Sequence, residues 1–245
     1  LIVIVLIFVL FVCINGKFKV FNFGIRSNNK ICDETYDIQK ISNIEILSNF
    51  GDVEVKESND ENIKVLVYGK SKDNLEIDSS NENELKIEYK EENKINFGFN
   101  QSSNIILYIP NTYSEKINID TKCGDAEIED FKNATINIDA NYGDIKIGDV
   151  KNVTIKNDCG DVKIKSILNK LNIKSSYGDI KIDKLELNEN SFIKSDLGDI
   201  KIEETNDIYI ETDVSLGDAK VNNNNRHSEI ILSIENNLGD IKVNN

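Results

Sequence analysis

Length, composition and charge exclude several kinds of protein. The chain has 245 residues, with 29 basic and 43 acidic side chains, a formal net charge of −14 at pH 7, no tryptophan and a single histidine. A chain of this length can bury a substantial core in one elongated domain or in two small ones. Its acidity repels nucleic acids and anionic lipid headgroups, and its lysines are interleaved with carboxylates. We therefore expect no nucleic-acid partner.

The first predicted element is the uncharged apolar run LIVIVLIFVLFVCING, residues 1–16. Its apolar part is shorter than the roughly 20 residues that span a bilayer as a helix. The run matches the core of a signal peptide, or part of a transmembrane helix. We expect it to contact the membrane and to place the rest of the chain outside the cytoplasm, anchored or secreted. Val12 before Cys13 is not the small residue that a lipoprotein signal favours.

The next predicted segments are a linker at residues 17–37 and an irregular β region at residues 38–115. The stretch IEILSNFGDVEV contains Gly51 and Asp52 between two runs of alternating apolar residues. Further along, NIKVLVYG, NELKIEYK and SNIILYIP are strand-like, and Pro110 falls at a strand end, where proline is tolerated. We interpret residues 38–115 as irregular coils or a small β layer that caps a regular stack.

Residues 116–245 are dominated by a repeated Gly-Asp motif, as in ANYGDIKI, SSYGDIKI and SDLGDIKI. From position 124 onward, successive pairs start 19, 17, 18, 20, 19 and 22 residues apart, which is the period of a solenoid coil. Glycine tolerates positive φ and aspartate can hydrogen-bond the local backbone, so the pair predicts a corner. The predicted structural corner residues are Gly51, Asp52, Gly124, Asp125, Gly143, Asp144, Gly160, Asp161, Gly178, Asp179, Gly198, Asp199, Gly217, Asp218, Gly239 and Asp240.

Apolar side chains flank each corner in a fixed pattern. Apolar residues alternate with polar ones after the aspartate, as at Ile145 and Ile147, and an isoleucine usually lies four residues before the pre-glycine position, as at Ile138. Such alternation of β-branched residues indicates strands with one buried face. We predict an all-β fold, a single-stranded parallel β-helix or β-solenoid with coils of roughly 17–22 residues, in which each coil rests on the coil before it in sequence.

The residue before each corner glycine is apolar, and we predict that it belongs to an inward column. Cys123 and Cys159 both occupy this position, with Tyr142 in the coil between them. Two strand steps of about 4.8 Å exceed the roughly 4.4–6.8 Å that a disulfide accepts between Cα atoms. We expect these two cysteines to be unpaired thiols, and Cys32 has no evident partner either.

The column of corner aspartates is a candidate calcium site, because calcium takes several oxygen ligands. Calcium-binding β-rolls, however, use shorter, glycine-rich repeats that gather several acidic loops in each turn. Here a lysine follows the corner aspartate by two residues in six coils, and we expect these lysines to neutralise the carboxylates on an exposed face. We predict no metal site and no cofactor, and a melting temperature that calcium leaves nearly unchanged.

Enzymatic activity is a further hypothesis. Carboxylates stacked about 5 Å apart would suit a retaining glycosidase, but an acid and a nucleophile need different environments, which a column does not provide. The sequence contains no nucleophile elbow, phosphate loop or histidine-rich metal motif, and His227 falls in an Asn-rich turn that is typical of solvated loops. We predict no catalytic residues and no enzymatic activity.

The order of these segments resembles a known family. An N-terminal hydrophobic segment, an early FGDVEV, an irregular β region that ends near LYIPNTY and then serial GDIKI repeats are similar to the bacterial putative adhesin family, a domain of unknown function. The resemblance covers roughly residues 38–245 and implies adhesin-like β-helix repeats. It implies no catalytic residues, and this chain has Tyr, Leu or Cys before the glycine where members of the family commonly have serine.

Three functions from different classes remain. The leading hypothesis is a non-enzymatic β-solenoid of the bacterial cell envelope or surface, an adhesin or a structural or sensing protein, with an envelope glycan or another surface protein as its partner. The first alternative is a carbohydrate-binding module or a glycan-active β-helix enzyme, although the sequence has no tryptophan and few aromatic residues. The second is a self-assembling scaffold whose open ends stack between molecules.

Overall fold

A computed structural model describes residues 25–81, 83–90, 101–222 and 224–244. Within these ranges the chain forms twenty β-strands and two short 3₁₀ helices, Ile38–Lys40 and Lys72–Asn74. The predicted apolar segment lies outside the described ranges, and none of the helices inside them is long and apolar enough to cross a membrane. The prediction of an all-β fold is confirmed.

The strands form one curled sheet. In chain order they are β1 (Ile25–Arg26), β2 (Lys30–Asp37), β3 (Asn43–Ser48), β4 (Gly51–Ser58), β5 (Asn62–Tyr68), β6 (Leu75–Asp78), β7 (Glu84–Tyr89), β8 (Gln101–Pro110), β9 (Lys116–Cys123), β10 (Ala126–Ile128), β11 (Phe131–Tyr142), β12 (Ile145–Cys159), β13 (Val162–Tyr177), β14 (Ile180–Leu185), β15 (Ser191–Leu197), β16 (Ile200–Thr205), β17 (Tyr209–Leu216), β18 (Ala219–Val221), β19 (Ile231–Leu238) and β20 (Ile241–Val243). β12 and β13 are long because each continues through the turn between two coils, with a shift in pairing register between Val150 and Asn152.

Each regular coil consists of a leading strand, the Gly-Asp corner and a trailing strand. Leading strands pair in parallel with leading strands and trailing strands with trailing strands, so equivalent residues form columns. One inward column contains Ile138, Ile155, Ile173 and Ile193, all of them at most 3% exposed. Burying one such side chain stabilises the fold by about 1.5–3 kcal/mol relative to leaving it exposed. The coarse prediction of a solenoid-like β fold is therefore confirmed.

The last two coils do not follow the order of the sequence. β19 lies between β15 and β17, and β20 lies between β16 and β18, so the final coil of the chain is inserted into the stack. In one inward column Ile234 therefore separates Ile193 from Thr212. The prediction that each coil rests on the coil before it is wrong at this end.

The composition of the two coils provides a physical reason for this order. Thr212 and Ala219 occupy inward positions where the neighbouring coils have isoleucine, and both are exposed at the end of the stack. Ile234 and Ile241 occupy the same positions in the inserted coil, and each is 1% exposed. Placing the more apolar coil inside the stack buries more apolar surface than the sequence order would.

The N-terminal end of the stack is also rearranged. The coil formed by β3 and β4 lies between β7–β8 and β9–β10, so the first Gly-Asp corner is internal. Beyond it, β5 pairs antiparallel with β2 and β8, and β6 pairs antiparallel with β7, which departs from a purely parallel β-helix. Residues 30–37, predicted as part of a linker, form β2 instead, because this strand buries Cys32 and covers the edge of β5.

Engineered disulfides test the inserted order. Lys194 pairs with Glu235 on the adjacent strand, and Asp213 lies one strand further away. Adjacent strands are about 4.8 Å apart, which a disulfide can bridge. We expect Lys194→Cys with Glu235→Cys to crosslink on mild oxidation, as shown by peptide mapping. Lys194→Cys with Asp213→Cys is the matched control and should stay reduced. Crosslinking of this pair alone would show that the coils stack in the order of the sequence.

Candidate functional site

The Gly-Asp corner has a backbone that requires glycine. The eight corner glycines have φ between +131° and +152°, a region that other residues rarely enter. The glycines also stack closely, since a Cβ built on Gly143 would lie 2.0 Å from the carbonyl oxygen of Gly124 in the adjacent coil. The dihedral angle and the contact therefore both exclude a side chain at this position.

The corner aspartates form a hydrogen-bonded ladder along the stack. Seven of the eight corner aspartates donate their backbone N–H to the carboxylate of the aspartate in the adjacent coil, at 2.8–3.1 Å, and Asp52, the first of the ladder, is only an acceptor within it. Carboxylates are stronger acceptors than neutral oxygens. Each of these bonds therefore satisfies a backbone donor at the point where the chain turns. In stacking order the ladder contains Asp52, Asp125, Asp144, Asp161, Asp179, Asp199, Asp240 and Asp218.

The lysines that follow the corner do not chiefly neutralise these aspartates, so that prediction is wrong. Among the described residues one pair follows it, Lys163 with Asp161 at 3.7 Å. The corner carboxylates lean along the stack toward backbone N–H groups, and the lysines bind other carboxylates. Those ion pairs are Lys146 with Glu127, Lys181 with Asp183 and Lys201 with Glu203.

These lysines form a surface feature of their own, which we call the lysine column. Backbone pairing places them in register across six adjacent coils. In stacking order they are Lys146, Lys163, Lys181, Lys201, Lys242 and Lys220. The exposed fraction of the side chain ranges from 68% at Lys146 to 43% at Lys201 among the four ion-paired members. The trailing strands thus carry one lysine at the same register position in each of six adjacent coils.

The residues before the corner glycines form a second surface feature, which we call the corner ridge. In stacking order the ridge contains Phe50, Cys123, Tyr142, Cys159, Tyr177, Leu197, Leu238 and Leu216. The prediction that this column faces inward is wrong, since Tyr142 is 51% exposed and Leu216 is 66% exposed. Every exposed large hydrophobic residue in the described part of the chain belongs to the ridge: Tyr142, Tyr177, Leu216 and Leu238.

The bend at the corner turns the ridge outward. Alternation would place Ile138, Ala140 and Tyr142 on one inward face, and the first two are buried. The backbone then enters positive φ at Gly143. Because the chain bends there, the side chain of Tyr142 lies on the outside of the corner.

Beneath the ridge lies an inner column that the sequence analysis missed. Its members are small or polar and at most 4% exposed: Ser48, Thr121, Ala140, Asn157, Ser175, Ser195 and Asn236. Asn157 donates to the carbonyl oxygen of Gly160 at 2.7 Å, and Asn236 donates to that of Gly198 at 2.9 Å. These side chains fill the narrow inside of the bend and hold it. The sequence does contain a sign of this column: polar residues recur, coil after coil, at positions where alternation predicts an inward side chain.

The cysteines agree with the predicted register. Cys123 and Cys159 pair with Tyr142 on either side of it, and neither of them, nor Cys32, forms a disulfide. The prediction that these three cysteines are not joined in a disulfide is confirmed. Burial, and to a smaller extent the carboxylate of Asp125, raises the pKa of the Cys123 thiol, which favours its protonated, weakly nucleophilic form.

The titratable groups of the described chain are distributed along columns rather than gathered in a cleft. The described residues contain no group of three or more His, Cys, Asp or Glu side chains arranged to hold a metal ion. His227 is exposed in a turn, where its backbone N–H donates to the side-chain oxygen of Asn225 at 3.0 Å. Within the described ranges, the corner ridge and the lysine column are two exposed surfaces that run along the stack.

The part of the chain that contains the stacked corners matches a known protein family. Residues 41–245 match the Toastrack DUF4097 family, a domain of unknown function. The chain belongs to this family. The match includes every Gly-Asp corner of the Toastrack chain, and it confirms the resemblance inferred from the sequence. No curated protein matches the chain.

Three solved structures are similar to this Toastrack protein. A putative adhesin from Bacteroides fragilis aligns with a TM-score of 0.54 at 16% identity, over 90% of this chain and 100% of its own. A putative cell adhesion protein from Clostridium sporogenes has a TM-score of 0.45 at 12% identity, over 86% of this chain and 98% of its own. A putative lipid binding protein from Parabacteroides distasonis has a TM-score of 0.43 at 18% identity, over 89% and 99%. At 16% identity, the similarity to the Bacteroides fragilis structure shows the fold alone.

Removal of one carboxylate tests the aspartate ladder. Asp161 accepts the backbone N–H of Asp179 at 3.0 Å. We expect Asp161→Ala to lower the free energy of unfolding by about 1 kcal/mol, the usual net value of one hydrogen bond. Asp161→Asn keeps an oxygen acceptor and is the matched control, with an expected change below about 0.5 kcal/mol. Urea unfolding followed by circular dichroism measures both; equal losses would mean that the charge matters rather than the acceptor.

Proposed function

We propose that this Toastrack protein is a non-enzymatic protein of the bacterial cell surface or envelope that binds a partner through the corner ridge. The observation that carries the proposal is the alignment of the exposed large hydrophobic residues of the described chain in one column. Soluble proteins seldom leave contiguous apolar surface exposed unless it contacts something. Seven steps of about 4.8 Å make the ridge about 34 Å long, enough to contact a folded partner or an extended polymer.

An extracytoplasmic location is part of the proposal. It is supported by the apolar run at residues 1–16, which has the character of a signal or anchor. The solved structure with a TM-score of 0.54 is named as a putative adhesin, which is consistent with a place on the cell surface. In this proposal the stack of coils extends from the membrane and carries the corner ridge away from it.

The uniformity of the aspartate ladder supports a non-enzymatic role. Successive carboxylates such as Asp144, Asp161 and Asp179 each accept one backbone N–H from the adjacent coil. Acid–base catalysis with two carboxylates requires environments that separate their pKa values. Because these carboxylates all play the same part as acceptors of a backbone N–H, the ladder does not divide them into an acid and a nucleophile.

Carbohydrate binding by the ridge is the second candidate. It is favoured by the exposure of Tyr142 and Tyr177, whose amphipathic rings offer a flat apolar face and a polar hydroxyl. Self-assembly by end-to-end stacking has less support, because the two ends of the stack differ. Strands β2 and β6 pair antiparallel at one end, whereas β17 and β18 pair parallel at the other.

Attachment of cells that display the full chain tests the proposed role of the ridge. We expect Tyr142→Ser with Tyr177→Ser to reduce attachment to other cells, or to protein-coated and glycan-coated surfaces, several-fold without changing the melting temperature. The matched control is Phe192→Ser with Tyr209→Ser, two partly exposed aromatic residues away from the ridge, which should attach normally.

Two results would contradict the proposed function. One is equal attachment by the ridge variant and the wild type at equal surface amounts. The other is complete protection of the chain when protease is added to intact cells with a permeable wall, since an extracytoplasmic solenoid should be digested.

A further inference from the structure

The last coil of the stack leaves one edge of the sheet open. β17 pairs with β19 and β18 pairs with β20, and no strand of the described ranges lies on their other side, which we call the end edge. An unpaired edge carries backbone donors and acceptors that can pair with another chain. We propose that the end edge binds, in parallel, an extended peptide strand of a partner protein that has a basic residue opposite Asp213 and a glycine opposite Gly217.

Within the described residues, the chain itself covers the beginning of the end edge. The side chain of Asn224 accepts the backbone N–H of Ile210 at 2.8 Å and donates to its carbonyl oxygen at 2.7 Å. The backbone N–H of Asn225 donates to the carbonyl oxygen of Ile208 at 3.2 Å. This turn takes the place of a neighbouring strand, so a peptide has to pair beyond Ile210.

Beyond Ile210 the same side of β17 is open. Alternate residues of a parallel strand bond to opposite neighbours, so Thr212 and Val214 turn their backbone groups to the side on which Ile210 meets Asn224. Thr212 is exposed and Val214 partly exposed. Both lie in columns that are buried in the adjacent coil, where Ile234 and Asn236 are each 1% exposed. A further strand would pair these backbone groups and cover these side chains.

Asp218 ends the aspartate ladder with an acceptor that the described chain does not use. Its backbone N–H donates to the carboxylate of Asp240 at 2.9 Å, but its own carboxylate accepts no hydrogen bond from the described residues. Elsewhere in the ladder the carboxylate accepts a backbone N–H from the adjacent coil. The carboxylate of Asp218 is therefore placed to accept a backbone N–H from a bound strand.

The close stacking of the corners selects glycine in the bound strand. A Cβ built on Gly217 would lie 2.2 Å from the carbonyl oxygen of Gly239 in the adjacent coil. A bound strand that continues the stack meets the carbonyl oxygen of Gly217 in the same way. Its residue opposite Gly217 therefore has no room for a side chain.

Charge selects a basic residue earlier in the bound strand. Glu211 and Asp213 are exposed on the outward face of β17, and Asp213 has no ammonium group within 4.0 Å among the described residues. In the column of Asp213, Lys194 binds Glu235 of the adjacent coil at 3.0 Å. A lysine or arginine opposite Asp213 would repeat this pair. The net charge of −14 also favours the approach of a basic partner.

The same charges oppose a second copy of this chain as the occupant. An antiparallel pair of two β17 strands would place Glu211 and Asp213 of both copies on one face of the joined sheet, where like charges destabilise pairing. The opposite end of the stack carries β2 and β6, which pair antiparallel and contain no Gly-Asp corner. A basic peptide strand is the occupant that the end edge favours.

A synthetic peptide with the sequence of residues 192–202, FIKSDLGDIKI, is a suitable probe. In the register of the coils it places its lysine opposite Asp213 and its glycine opposite Gly217. We expect the peptide, with blocked ends and a fluorescent label, to bind the purified full chain one to one, as measured by fluorescence anisotropy. A scrambled peptide of the same composition is the control and should not bind.

Val214→Pro tests whether the peptide pairs with the end edge. Proline removes the N–H that faces the edge, and it is tolerated on an edge strand where that N–H makes no ladder bond. We expect binding of the peptide to weaken at least about tenfold, the effect of losing one or two backbone hydrogen bonds, with an unchanged melting temperature. Tyr142→Ser with Tyr177→Ser should bind the peptide like the wild type, so failure of the corner ridge and failure of the end edge are distinguishable.

An exchange of charges tests the register. Asp213→Lys should weaken binding of the peptide several-fold, and a peptide with glutamate in place of its first lysine should prefer this variant to the wild type. The matched control is Glu204→Lys, which makes the same change of charge at an exposed residue of β16 and should not reverse the preference.

Any of four results would overturn the proposal. The first is no binding of the peptide by the wild-type chain, and the second is equal binding by Val214→Pro and the wild type. The third is the same preference between the two peptides in Asp213→Lys and the wild type. The fourth is a dimer of the wild type in sedimentation that Val214→Pro abolishes, since a second copy would then occupy the end edge.

Discussion

One hydrogen bond holds the coils in register: the backbone N–H of a corner aspartate donates to the carboxylate of the aspartate in the adjacent coil. The bond requires two backbones to approach closely, and the glycines permit this because no Cβ stands between them. Since the same bond recurs at every corner, coils whose lengths differ between 17 and 22 residues still align. Variation in length is absorbed in the turns, away from the corner.

The bend that this bond stabilises determines which side chains reach solvent. The residue before the glycine lies outside the bend and becomes part of the corner ridge, while the residue two positions earlier lies inside it and must be small or polar. Beyond the corner, alternation resumes and places a lysine outward in six coils. A residue that occurs once in each coil thereby becomes a continuous row, so the repeat creates two long surfaces of different chemistry.

Local features of the fold were predictable because every coil repeats them. The corners followed from Gly-Asp, the buried column around Ile155 from alternation, and the absence of a disulfide from the spacing of Cys123 and Cys159. The outward orientation of Tyr142 was not predictable by alternation. Alternation with a period of two residues assumes an extended backbone, and the backbone bends at Gly143, where φ is positive. The order of the coils was not predictable from the repeat either, because each coil offers its neighbours the same backbone pairing surface. Thr212, at a position where other coils have isoleucine, was the available sign of a terminal coil.

Amide hydrogen exchange measures the bond between coils most directly. In the wild-type chain the N–H of Asp179 donates to Asp161, and the N–H of Asp161 donates to Asp144. We predict that Asp161→Ala speeds exchange of the amide at Asp179 and leaves the amide at position 161 protected, because the bonds run in one direction along the stack. Unchanged exchange at Asp179, or equal loss of protection at both amides, would contradict a fold held in register by the corner aspartates.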